Sequence, residues 1–118
     1  MVSPLEAVSA QLAAYNARDL ETFIALYAED VKLWRHGELA CCSRATMREQ
    51  YGALFRANPD LKALLLGRLV GGATTVIDHE WVTGFKDGYN LEVFATFEVL
   101  DGIITQVWFR QERRVPTG

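Results

Sequence analysis

The sequence predicts an α+β fold in which three N-terminal helices pack on a curved antiparallel sheet that closes into a cone-shaped roll. Three observations predict it. Apolar residues recur at helical spacing in three segments before Pro59, and strand-like runs separated by glycine turns fill the rest. A glycine inside the first long run, Gly67, marks a bulge or bend that lets the sheet curl around the helices. Helices gathered on one face of such a sheet make an α+β domain.

Leu5, Val8, Leu12 and Tyr15 form the first apolar stripe, with Glu6, Gln11 and Arg18 off it. Asp19 is placed to cap a second helix, whose buried side is Phe23, Ile24 and Tyr27 and which ends at residues 28–30. Residues 31–36 read as a short strand and 37–42 as a loop. Ser43, or a box of Thr46 with Glu49, caps a third helix with Met47, Tyr51, Leu54 and Phe55 on one face. Asn58-Pro59 stops it, because the residue before proline is pushed out of helical geometry. Strands follow over 61–70, 74–83, 89–100 and 103–113; Asp101-Gly102 is a strong hairpin signal, and 115–118 is expected to fray.

The 118 residues suit a single domain, spanning 1–118, with one core. Half are apolar and 23% charged, ordinary globular composition. The net charge is −3 and the basic residues are scattered, which argues against nucleic acid as a partner. Arg110, Arg113 and Arg114 read as a solvated final strand. No signal-peptide pattern opens the chain, and residues 63–66 are too few to span a bilayer. Adjacent Cys41 and Cys42 do not suit a disulfide, so two free thiols in a cytoplasmic protein are expected. His36 and His79 lack clustered companions, no cofactor fingerprint occurs, and neither metal nor cofactor is expected.

Residues 15–20 (YNARDL) through 26–31 (LYAEDV), residues 76–84 (VIDHEWVTG), and residues 97–109 with Phe97-Glu98-Val99, Asp101-Gly102 and Val107-Trp108-Phe109 carry a resemblance. The chain resembles the SnoaL-like branch of the nuclear-transport-factor-2-like superfamily, which includes ketosteroid isomerases and has the cystatin-like α+β roll. The resemblance implies an internal pocket for a small, largely apolar organic molecule. Aligned on residues 16–19, the isomerase base falls at Arg35, the oxyanion tyrosine at Gln11 and the protonated carboxyl near Ala95. None is the required type, so steroid isomerisation by that route is rejected.

Strand alternation puts Asp78 and Glu80 on one face with Val76 and Val82, and His79 on the other with Ile77 and Trp81. Periodicity alone favours burying the Ile77–Trp81 side; the resemblance implies the reverse, with both carboxylates facing the pocket. Desolvation and mutual repulsion then raise at least one carboxyl pKa, which suits acid/base catalysis. Arg35 is expected to pair with one of them. His79 is a further candidate base, although the outer face makes an interface role as natural. Tyr15, Trp34, Tyr51, Phe55, Phe97 and Phe109 are expected to enclose the substrate. Trp81, Phe94 and Trp108 on the outer face suggest a sheet-to-sheet homodimer. Two readings stay open: an isomerase, cyclase, dehydratase or hydrolase, or a non-catalytic dimeric ligand-binding or interaction module, its hollow filled by its own side chains.

Overall fold

Serine and aspartate side chains start all three helices by accepting hydrogen bonds from backbone N–H groups that lack a helical partner. In the computed structural model, which describes residues 2–118, Ser3 accepts from the Glu6 amide at 3.1 Å and Glu6 reaches back to the Ser3 amide. This reciprocal box opens α1 (Pro4–Ala17). Asp19 accepts from Thr22 ahead of α2 (Leu20–Ala25), and Ser43 from Thr46 ahead of α3 (Arg44–Ala57). None of these helices is long and apolar enough to cross a membrane.

The strands are β1 (Tyr27–Arg35), β2 (Glu38–Cys41), β3 (Lys62–Gly71), β4 (Thr75–Thr83), β5 (Tyr89–Leu100) and β6 (Ile103–Pro116). They form one sheet in the order β2-β1-β6-β5-β4-β3. All neighbours are antiparallel except β1 and β6, which run parallel. At the β5–β6 turn, Asp101 and Gly102 both take positive φ, as the Asp-Gly signal requires.

Three local expectations change. The second helix ends a turn early because the Leu26 carbonyl accepts from the Ile104 amide at 2.9 Å, so sheet pairing captures the chain and Tyr27 begins β1. The expected loop at 37–42 holds β2, folded back on β1 through His36 and Gly37 at positive φ. The C-terminal residues do not fray: Val115 and Pro116 pair with Asn90 and Tyr89, and the Thr117 amide donates to Gly88 at 3.1 Å.

The helices cover the sheet through a core centred on Phe23, whose ring lies 5.0 to 5.9 Å from those of Tyr15, Tyr27, Tyr51 and Phe55. In α1 the buried positions are Ala7, Val8, Gln11 and Ala14, while Leu5 of the expected stripe is exposed. Asn16 ties the end of α1 to β3: its side chain donates to the Ala63 carbonyl at 3.0 Å and accepts from the Ala63 amide at 2.7 Å. That pairing imitates a neighbouring strand. Gly84, at φ 90°, packs so tightly that a Cβ there would collide with the Asp60 backbone.

Two bulges set which side chains face inward. Opposite β4, the β3 register slips between Leu65 and Gly67, as the glycine suggested. Opposite β5, the β6 register slips so that Glu92 meets Arg113 while Phe94 meets Arg110, with Gln111 at positive φ between them. Each bulge reverses the in/out alternation beyond it.

Candidate functional site

Along β4 burial alternates strictly, and Val76, Asp78, Glu80 and Val82 are the buried set. The inward placement implied by the resemblance is therefore the observed one, and the choice favoured by periodicity alone is not. Between this face and the helices lies a cavity of about 330 Å³. Its floor and walls include Gln11, Tyr15, Phe23, Tyr27 and Tyr51 from below and Glu80, Val93 and Phe97 from the sheet.

The two inward carboxylates have separate fates. Asp78 is fully buried and does not line the cavity. Its two oxygens accept from Arg68 Nε at 2.6 Å and Nη2 at 2.8 Å, and Arg68 Nη1 donates to Ser9 Oγ at 2.7 Å. Asp78 is thus held in a structural ion pair. The β3 bulge makes this possible by turning Arg68 inward, in register with Asp78.

Glu80 does line the cavity, and its carboxyl receives no hydrogen bond from the described residues. Burial, and secondarily the negative charge of Asp78, push its pKa up to about 8, against the opposing pull of Arg68. At neutral pH Glu80 is mostly a neutral carboxylic acid. It can donate a hydrogen bond or a proton, whereas both Asp78 oxygens are taken up in accepting from Arg68.

Gln11 lines the same cavity as a second neutral donor. Its Oε1 accepts from the buried Tyr27 hydroxyl at 3.0 Å, which leaves the amide N–H groups for the cavity. Burial pushes the phenols of Tyr15, Tyr27 and Tyr51 up, so each is a donor and not a base. Sequence reasoning placed Gln11 off the apolar stripe. Its tyrosine partner, far along the chain, gives no local signal.

Arg35 does not pair with either inward acid. Its Nη1 donates to Glu112 at 2.8 Å, and its guanidinium lies 4.0 Å over the Phe109 ring, at the cavity mouth. Burial works to lower the Arg35 pKa, but Tyr51 and Glu112 outweigh it, so the cation is secure. Glu112 and Arg114 reach the mouth only because the bulge at Gln111 reverses the β6 alternation; plain period-two reading assigns them to a solvated strand.

Tyr15, Tyr51, Phe97 and Phe109 line the cavity as expected, whereas Phe55 and Trp34 do not. Phe55 packs behind Tyr15, edge to face at 5.4 Å. Trp34 lies on the opposite side of the sheet, in register with Trp108, and donates to Gln106 at 3.1 Å. His79 is on that outer face too, stacked on Phe94 at 4.2 Å and bonded to Glu92 at 2.8 Å, so it cannot reach a bound molecule in the cavity. Trp81, Phe94 and Trp108 are half-buried, and the large exposed apolar side chains are instead mostly on β3, among them Leu64 and Leu69. Among the described residues no three His, Cys, Asp or Glu side chains gather as a metal site would need. Cys41 is buried and Cys42 exposed, both as free thiols.

This architecture recurs in solved structures. An uncharacterised cystatin-fold protein from Novosphingobium aromaticivorans superposes with a TM-score of 0.85 at 24% identity, covering 94% of this chain and all of its own. A Δ5-3-ketosteroid isomerase from Mycobacterium sp. gives 0.76 at 19% identity, over 97% of this chain and 100% of that one. An NTF2-like protein of unknown function from Cytophaga hutchinsonii gives 0.77 at 10% identity, over 92% and 89%. At these identities the likeness is one of fold. No curated protein matches the sequence. The SnoaL-like domain model matches residues 8–107, most of the chain, from within α1 to the first residues of β6 and with the buried carboxylates inside the match. The chain belongs to the SnoaL-like domain family.

Proposed function

We propose that this protein binds a small, largely apolar organic substrate in the cavity and that Glu80 is its acid/base group. The observation that carries this reading is a carboxyl facing the cavity with no hydrogen bond from the described residues and a pKa near 8. A group whose pKa lies close to the working pH transfers protons efficiently in both directions. Protonated Glu80 donates to a carbonyl or leaving oxygen; ionised, it takes a proton from carbon or water. Gln11 supplies a second donor to a developing oxyanion. The reactions that fit are isomerisation, cyclisation, dehydration and epoxide hydrolysis.

A cavity of about 330 Å³ argues against a non-catalytic interaction module whose own side chains fill the hollow; a non-catalytic ligand-binding module would keep the cavity and show no turnover on any ligand that binds. We extend the proposal to a homodimer through the outer sheet face. Register places Leu64 opposite Trp81 and Leu69 opposite Ile77 on that face, with Phe94 and Trp108 on the adjoining strands, so large apolar side chains are interspersed there with the His79–Glu92–Arg113 polar cluster. Sedimentation should give a dimer in the wild type and a monomer in Trp81→Arg; a wild-type monomer contradicts the assembly.

The catalytic test starts from a thermal-shift screen of small apolar ketones, epoxides and aromatic acids, followed by turnover assays on the hits. Glu80→Gln should keep the fold and lose turnover by about a hundredfold or more. Undiminished turnover in that variant removes Glu80 from the chemistry.

A further inference from the structure

The polar groups of the cavity are sorted along its length. Deep inside are neutral donors, Glu80 and Gln11, among aromatic rings. All the remaining charge gathers at the end where β4 stops, β5 starts and β6 ends. Arg114 is in register with Leu91, and Leu91 with Val82, one inward position beyond Glu80, a step of about 6.8 Å along a strand. Arg35, at the end of the parallel β1, faces the same opening in register with Phe109.

Two guanidiniums and one carboxylate meet there, and they are not equally engaged. Arg35 and Glu112 answer each other at 2.8 Å. Arg114 makes no hydrogen bond or ion pair with the described residues, and its guanidinium rests 4.5 Å over the Tyr89 ring. That stacking holds the side chain across the opening while leaving its N–H fork unused. The mouth of this net-negative protein is therefore locally positive, with a planar donor set suited to a carboxylate.

We infer that the ligand is an amphipathic monoanion, entering apolar end first and leaving a carboxylate at the mouth on the Arg114 guanidinium. The assignment rests on the cavity being the binding site and narrows the substrate class to organic acids with one apolar body. It also gives an orientation: a carbonyl or hydroxyl on the buried part comes to Glu80 and Gln11, while the acid group stays in partial contact with water. An anion at the floor would face Glu80 and the Asp78 charge behind it; at the mouth it meets an unanswered cation.

The experiment uses the full chain with naphthalene-2-carboxylate and its methyl ester, which share a body and differ in charge. Isothermal titration reads affinity, and methyl NMR of Leu12, Val82 and Val93 reads whether the ring occupies the cavity. The carboxylate should bind about fivefold more tightly than the ester, the scale of a solvent-exposed ion pair. Arg114→Gln should erase that preference without weakening the ester, Arg114→Lys should restore part of it, and Glu112→Gln should increase it. Equal affinities with both probes perturbing the cavity methyls would overturn the anion assignment and leave the pocket reading standing. A preference that survives Arg114→Gln would overturn the role given to Arg114. Absence of any cavity perturbation by either probe would overturn both.

Discussion

Asp78 and Glu80 lie two residues apart on the same face of one strand, yet their surroundings make them different chemical groups. Asp78 is sealed from solvent and gives both oxygens to Arg68. Glu80 opens on the cavity and has no such partner. The difference originates in the neighbouring strand, where the bulge before Gly67 turns Arg68 toward one acid and past the other. One carboxylate holds the fold together and the other is left free to work.

The comparison breaks most readily at the ion pair. Arg68→Met leaves a buried aspartate without its donor and should cost about 3–5 kcal/mol of stability in chemical denaturation. A loss below about 1 kcal/mol would mean that Asp78 is hydrated or protonated and not structurally paired. The core around Phe23 gives a reference of similar size, since Phe23→Ala should cost about 3–5 kcal/mol.

Glu80 should respond with the opposite sign. Its folded pKa of about 8 lies above the ordinary 4.5, so the folded state holds this proton more tightly than the unfolded chain. The stability it contributes is fully present below about pH 4.5 and is lost as the pH rises through about 8. Asp78 on the same strand and Arg68 on β3 act on it electrostatically, and Tyr15, Tyr27 and Tyr51 feel its charge from the helices and β1. Glu80→Gln should flatten this decline and be more stable than wild type above about pH 8, by an amount on the order of a few kcal/mol. A variant that loses stability there would show that Glu80, too, is a structural partner.

A sharper version changes the neighbour. Asp78→Asn removes the charge that helps raise the Glu80 pKa, so that pKa should fall, yet stay above 4.5 because burial is the larger cause. The smallest effect belongs to the mouth. Arg35 is 38% exposed at the side chain, so Arg35→Gln should cost less than about 1 kcal/mol despite its 2.8 Å bond to Glu112.

Much of this was legible in the sequence because the signals are local. Asp19 and Ser43 cap the helices they were expected to cap, and Asp101-Gly102 makes its turn. The inward face of β4 was not legible from hydrophobicity, since Ile77 and Trp81 are the more apolar pair; the family resemblance supplied it. The partners of each charge escaped for a different reason. Arg68 and Glu112 reach Asp78 and Arg35 only through bulges, and a one-residue slip reverses every side chain beyond it. Gly67 announced its bulge, but Gln111 is an ordinary residue in an unusual conformation and announced nothing. Trp34 was misassigned against plain alternation: with Leu33 and Arg35 turned inward, the residue between them sends its ring to the outer face.

The most direct test follows the side-chain carboxyl carbons of the free protein by NMR across a pH titration, with Glu80→Gln fixing the assignment. The Glu80 carboxyl should stay protonated through neutral pH and titrate at about 8. A Glu80 resonance already ionised below pH 6, close to the ordinary 4.5, would contradict this.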